Sequence, residues 1–249
     1  MRESIAIISD IHGNSVALEA VLKDIAARKI QSIVNLGDSL FGPIDPLGTA
    51  KHLMNNTNIV NIMGNCDQIL LDKESNSATY KFVSPMINNE IENWIRTFKD
   101  TWVFEDILFC HGSPFHNDKY LLEEVNEMGV VSYKNPNQIA AELEEVPQQF
   151  LFCGHSHVFK TFYLSNGKLI INSGSVGLPA YHDDEPFPHV MESFSPYAEY
   201  VIAYKTAEKN WSIEHVMIHY DWEKASSIAE ANGREDYAFA LRTGRALVR

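Results

Sequence analysis

Apolar residues fall on two periods along this chain, and its elements begin and end where one period gives way to the other. Ser4–Ile8 is a short apolar run bounded by turn residues, the mark of a buried strand. From Ser15 to about Arg28, Val16, Leu18, Val21, Leu22 and Ile25 line one face of a helix that Asn14 caps. SIVNLGD (32–38) predicts a second strand, Pro46 to Asn55 a second helix with proline in its first turn, and NIVNIMGN (58–65) a third strand. A mainly helical interval follows over 67–98. It ends in the amphipathic EIENWIRTF, where Ile91, Trp94, Ile95 and Phe98 share one side.

Strand periods then return in pairs. TWVFED and DILFCHG form a hairpin through Glu105 and Asp106, and a helix near Asn137 to Glu145 leads into FLFCGHSH (150–157). FKTFYL and KLIINSG flank the turn SNGK, and EYVIAYK and WSIEHVMIHY flank TAEKN. Helices are expected from Asp221 to about Ala231, stopped near Gly233, and from Asp236 to Thr243. Residues 174–196, rich in proline, histidine and acids, read as one long loop, and a loop of that length is often functional. The early strand–helix–strand units call for parallel pairing and the later hairpins for antiparallel pairing. The expected fold is therefore a single domain over 1–249, a sandwich of two mixed sheets with helices on the outer faces.

Charge narrows the partners. A formal net charge of −13 opposes binding to a long nucleic acid, which depends on lysine and arginine neutralising phosphates, and equally opposes an anionic membrane. No apolar run approaches the ~18–20 residues that span a bilayer, and the first residues enter a strand at once, leaving no room for a leader peptide. Three cysteines cannot all pair, so a reducing cytoplasm is the expected compartment. A small phosphorylated ligand stays possible if bound cations reverse the local sign.

The candidate chemistry lies where the apolar runs stop. The first ends at Asp10 and His12, the second at Asp38, the third at Asn65, DILFC at His111, and FLFCG at His155 and His157. All seven stand at the C-terminal ends of expected strands, the edge of an α/β sheet where ligands bind. Oxygen and nitrogen donors without thiolate suit Mn, Fe or Zn. The i, i+2 spacing of Asp10 with His12 and of His155 with His157 aims each pair the same way from extended backbone. Gly37, Gly64, Gly112 and Gly154 adjoin these residues, where tight turns need freedom. One aspartate or histidine at a strand end is ordinarily a turn residue, but five strand ends repeating the pattern point to a metal site.

DIHGN (10–14), GD (37–38), GN (64–65), HG (111–112) and GHSH (154–157), in this order, resemble the calcineurin-like metallophosphoesterase superfamily. NSGSVGLP (172–179) is similar to its bacterial phosphodiesterase-like branch. The resemblance implies a four-layer αββα sandwich and a binuclear metal centre. Asp10, His12 and His157 would hold one ion, Asn65, His111 and His155 the other, and Asp38 would bridge. The implied reaction is hydrolysis of phosphodiester or nucleotide-type substrates by a hydroxide shared between the ions. Dinucleoside-polyphosphate hydrolysis, phosphomonoester or phosphoprotein hydrolysis, and a non-enzymatic metal-binding scaffold are the alternatives.

One motif departs from the family. GNCD (64–67) has Cys66 where the family usually carries a histidine that stabilises the transition state or protonates the leaving oxygen, and Asp67, that histidine's partner, is left without it. Asp38, Asn65, Cys66 and Asp67 are thus the candidate catalytic group, with a thiol as a weaker acid and no positive charge. His116, His182 and His189 are possible replacements, although each reads first as a surface residue. Cys110 and Cys153 read as buried strand residues, Asn14 as a cap or a support for Asp38, and KYLLEEV (119–125) with Tyr181 as possible pocket walls.

Overall fold

The computed structural model describes residues 3–208 and 210–247. Its elements run β1 (Ser4–Ile8), α1 (Ser15–Ala27), β2 (Ser32–Asn35), α2 (Pro46–Met54), β3 (Ile59–Asn61), α3 (Asn65–Asp72), α4 (Ala78–Val83), a 3₁₀ turn (Ser84–Met86) and α5 (Asn89–Ile95). Then come β4 (Trp102–Phe104), β5 (Ile107–Phe109), β6 (Glu123–Val125), β7 (Val131–Tyr133), α6 (Pro136–Glu142), β8 (Phe150–Cys153), β9 (Lys160–Tyr163) and β10 (Leu169–Asn172). The chain closes with β11 (Ala180–Asp183), β12 (His189–Glu192), β13 (Ala198–Lys205), β14 (Trp211–Ile218), α7 (Trp222–Ala231) and α8 (Glu235–Thr243).

Two five-stranded mixed sheets result, in the orders β14-β13-β1-β2-β3 and β4-β5-β8-β10-β9. In the first, β1 runs parallel to β2 and β2 to β3, while the β13–β14 hairpin adds antiparallel to β1, with Ile5 opposite Ala203. In the second, β5, β8 and β10 are parallel and β4 and β9 are antiparallel edges. Alternate side chains divide the core. Ile5, Ile7, Val34 and Leu36 meet Phe109, Phe152 and Ile171 between the sheets, whereas Ala6 and Ile8 turn outward against Leu18, Val21 and Ile25 of α1. Cys110 and Cys153 face out from the second sheet onto Ile139 of α6 and the adjoining Leu143, as buried strand residues. This is the mixed two-sheet, helix-flanked architecture expected. No helix among the described residues is long and apolar enough to cross a membrane.

Two short hairpins depart from expectation. Residues 174–196 are not an irregular loop: β11 pairs with β12, with Tyr181 opposite Met191. β6 and β7 likewise pair within a stretch with no expected strand. Each of these strands is three or four residues long, too short for a period of two to stand out against proline and charge. The turn of the β13–β14 hairpin includes Lys209, which lies outside the described residues.

Candidate metal centre

β1, β2, β5 and β8 end at one edge of the sandwich, and α3 begins there. The backbone immediately turns left-handed at the donor residues themselves: φ is 54° at Asp10, 47° at His12, 55° at Asp38, 68° at His155 and 60° at His157. The extended-backbone account of the i, i+2 pairs is therefore wrong. Each pair converges because both members turn through a conformation that costs a non-glycine residue about 1–2 kcal/mol. The adjoining glycines mostly serve a different end from the one expected. Of Gly37, Gly64, Gly112 and Gly154, only Gly37 has positive φ (118°). Gly64 is needed for close approach, since a Cβ there would collide with the Asp38 backbone nitrogen and Oδ1. Backbone hydrogen bonds hold the turns: Asp10 N–H to Gly37 O at 3.0 Å, His12 N–H to Asp38 O at 2.9 Å and Gly13 N–H to Ser39 O at 3.0 Å.

The seven predicted side chains meet. The donor atoms of Asp10, His12 and His157 lie within 4.8 Å of one another, as do those of Asp10, Asp38 and His111. Asp38 sits between the halves, with Oδ2 3.6 Å from His12 Nε2 and Oδ1 3.5 Å from His111 Nε2. Asn65 Oδ1 is 3.0 Å from His111 Nε2. His155 adjoins His111, ring centroids 5.1 Å apart, and its backbone N–H donates to Asp10 Oδ2 at 3.1 Å. One addition was not foreseen in a thiol-free donor set. The Cys66 Sγ also lies within 4.8 Å of donor atoms of His12 and Asp38.

Protons decide what this cluster can hold. His12, His111 and His157 each place Nδ1 against a backbone carbonyl: Phe41 O at 2.8 Å, Leu36 O at 3.0 Å and Leu178 O at 2.6 Å. A carbonyl only accepts, so Nδ1 carries the proton and the Nε2 lone pair faces the centre, the arrangement of metal-binding histidines. His12 Nε2 and His157 Nε2 are then 3.1 Å apart, lone pair toward lone pair, which needs a shared cation or an extra proton. Asp10 Oδ1, fully buried, has no hydrogen-bond partner. The residues present fit a metal centre.

Charge agrees. Burial works against ionisation of Asp10, but His157 outweighs it and holds the carboxyl at about 2. Burial opposes Asp38 in the same way, and His111 drives it far below the carboxylate range. Burial lowers His111, but Asp38 outweighs it and lifts the imidazole to about 9, while burial and His111 push His155 down to about 3. A cation entering the cluster would displace the extra protons.

Asp67 has a role without the missing histidine. Its carboxylate accepts the N–H groups of Asp38 (2.8 Å), Ser39 (3.0 Å) and Gly64 (3.2 Å), tying the second turn to the start of α3. Burial and the Asp38 charge push this carboxyl up to about 7, against the pull of the Ser39 and Gly64 donors. Asn14 does not support Asp38. It caps α1 through Ala17 N–H and donates to Gly177 O, and it is the Cys66 N–H that donates to Asp38 Oδ1, at 2.9 Å. Desolvation and Asp38 raise the Cys66 thiol well above its ordinary value, so it is neutral.

Of the three candidate histidines, His116 is exposed in the turn after His111 and His182 lines the cavity above the cluster. His189 is not on the surface: it is 3% exposed, with Nε2 2.8 Å from Tyr120 Oη. The KYLLEEV segment backs the centre instead of walling a pocket. Tyr120 stacks on His155 with centroids 4.7 Å apart, and Glu123 accepts from Ser156 Oγ at 3.0 Å. Tyr181 lines the cavity and donates to His155 O at 2.9 Å. The cavity, about 870 Å³, is also walled by Arg234 and Tyr237. Nothing in the sequence reading pointed to those two, because they lie far from every motif.

Residues 4–192 match the model of the calcineurin-like phosphoesterase superfamily domain, and the chain belongs to that superfamily of metal-dependent phosphoester hydrolases. An uncharacterized protein of Methanocaldococcus jannaschii is 27% identical over 252 residues, covering 90% of this chain and 91% of that one. A metallophosphoesterase from Sphaerobacter thermophilus has the same fold, with a TM-score of 0.76 and 22% identity over 98% of this chain and 100% of that one.

Proposed function

We propose that the protein is a binuclear metal-dependent phosphodiesterase acting on small phosphodiester or nucleotide-type substrates in the cytoplasm. The observation that carries this reading is the pair of inward Nε2 lone pairs of His12 and His157, 3.1 Å apart beside the unpartnered Asp10 Oδ1. Asp10, His12 and His157 would hold one ion and Asn65, His111 and His155 the other, with Asp38 between them. Two Mn, Fe or Zn ions would supply Lewis acidity toward phosphoryl oxygens and acidify water for attack.

The chain's own residues supply the rest. The carbonyls of Phe41, Leu36 and Leu178 keep three imidazoles in the tautomer that offers Nε2. Asp67 and the Cys66 N–H hold Asp38 in place from two sides. The neutral Cys66 thiol lines the cavity at its base but is a poor proton donor to an alkoxide, so the site favours substrates whose leaving group needs little protonation.

The test is metal-reconstituted protein assayed on p-nitrophenyl phosphate and bis(p-nitrophenyl) phosphate, with metal content read by elemental analysis. About two ions per chain and preferential turnover of the diester are expected. Chelation should abolish both turnover and phosphate binding, because the emptied cluster is acidic. Protein that binds no metal under replete conditions, or binds phosphate equally well after chelation, refutes the reading.

A further inference from the structure

The family match runs over residues 4–192, and one wall of the cavity comes from the α7–α8 turn that follows it in the chain. Among the described residues lining the cavity, Arg234 is the only lysine or arginine. It is also held in place before any ligand arrives. Nε and Nη2 donate to the two Asp236 oxygens at 2.9 and 2.6 Å, Nη1 donates to Thr79 Oγ1 on α4, and the guanidinium lies 4.3 Å from the Tyr237 ring centroid. These contacts use one N–H on each Nη, and each Nη carries two. An arginine fixed in this way loses little rotamer freedom on binding an anion.

The rest of this cavity disfavours anions. Asp183, Glu235 and Asp236 share its wall, and the chain carries a net charge of −13. A substrate phosphate at the metal end would be neutralised there. A second negative group on the same molecule would find its one guanidinium partner at Arg234, which Asp236 holds in place. We propose that Arg234 forms a second anion subsite, making the preferred substrates organophosphates that carry another anionic group away from the scissile phosphate, as nucleotide bisphosphates and polyphosphates do. This rests on the phosphodiesterase reading for the metal end. It locates substrate choice in the turn before α8, apart from the motifs that carry the metal donors.

A matched pair of ligands isolates the subsite. The p-nitrophenyl ester of thymidine 5′-phosphate, with and without an additional 3′-phosphate, keeps the scissile bond and leaving group constant while changing one anion. The corresponding products, thymidine 3′,5′-bisphosphate and thymidine 5′-phosphate, report binding by calorimetry without any turnover. On metal-loaded protein, the 3′-phosphate should improve both kcat/KM and Kd about tenfold, the scale of one charge-assisted contact. Arg234→Gln should bring both ratios close to one, and Arg234→Lys should retain part of each.

Absence of a 3′-phosphate preference in the parent overturns the proposal. So does an equal loss on both ligands in Arg234→Gln, the signature of a guanidinium that only ties α8 to α4. Thermal melting of both variants identifies misfolding, and Arg234→Lys then carries the comparison. If the parent binds the bisphosphate selectively and Arg234→Gln abolishes that selectivity while neither ester is hydrolysed, the subsite stands and the phosphodiesterase reading fails.

Discussion

The floor of the cavity and the wall that carries Arg234 are built on different principles. On the floor, Asp10, His12, Asp38, His111, His155 and His157 are all 8% exposed or less, and backbone groups hold most of them. Their turns are laced by main-chain hydrogen bonds and three of the four imidazoles are fixed by carbonyls. On the wall, side chains hold side chains: Arg234 rests on Asp236, Thr79 and Tyr237, and the His182 side chain is 41% exposed. Main-chain restraint does not depend on which side chains its donors and acceptors carry, and it suits chemistry common to a family. Side-chain restraint can be rebuilt residue by residue and suits choice among substrates.

The largest expected effect breaks the floor. Asp38→Asn removes the charge that lies between His12 and His111, and activity should fall about 10³-fold or more, several kcal/mol of transition-state stabilisation. Elemental analysis should show fewer than two metals per chain. A variant with full activity would put the reactive centre elsewhere.

Next in size is Cys66→His at the junction of floor and cavity. An imidazole beside Asp67 should raise rates about 10²-fold for poor leaving groups, the lower end of general-acid catalysis, and much less for activated aryl groups. A leaving-group series on both proteins at equal metal content measures this. A flat response in both would mean that another residue already supplies the proton, and His182, which lines the cavity, would be the next position to change.

Glu123 tests how the floor is supported from behind. Burial raises its carboxyl from 4.5 to about 7, with Ser156 the donor that partly opposes this. Below about 4.5 the group is neutral folded and unfolded, so its contribution is fully present. As pH rises through 7 the folded protein must ionise it, and on the order of 2 kcal/mol is lost. Parent Tm should therefore decline between pH 5 and pH 8 by roughly 4–8 °C more than that of Glu123→Gln, followed by thermal melting. Parallel curves would show that Glu123 is not held neutral.

The smallest effect is expected from Tyr181→Phe, where wall and floor touch. It removes the hydrogen bond to His155 O and the 2.7 Å contact with Tyr120 Oη while keeping the ring. A loss of about 1 kcal/mol in stability is expected, with a several-fold loss of activity. A collapse comparable to Asp38→Asn would move Tyr181 from the wall into the reacting group.

Local chemistry made much of this legible in the sequence. The strand at Ser4–Ile8 reads correctly, and the runs at 32–38 and 150–157 each begin with a strand, Ser32–Asn35 and Phe150–Cys153, because a strand covered on both faces is apolar along its length; each run leads to donors that the fold brings to one edge. Asn14 and Asp221 marked helix starts because capping acts over three residues. Tertiary structure alone decided the rest. The left-handed turns at Asp10, Asp38 and His157 depend on hydrogen bonds from neighbouring loops, and the tautomers of His12 and His157 depend on Phe41 and Leu178, 29 and 21 residues away. Arg234 reaches the cavity only because α8 packs beside Thr79, 155 residues earlier in the chain. Periodicity and capping record a residue's relation to its near neighbours. A proton's position and a cavity's wall are set by groups that meet only when the chain has folded.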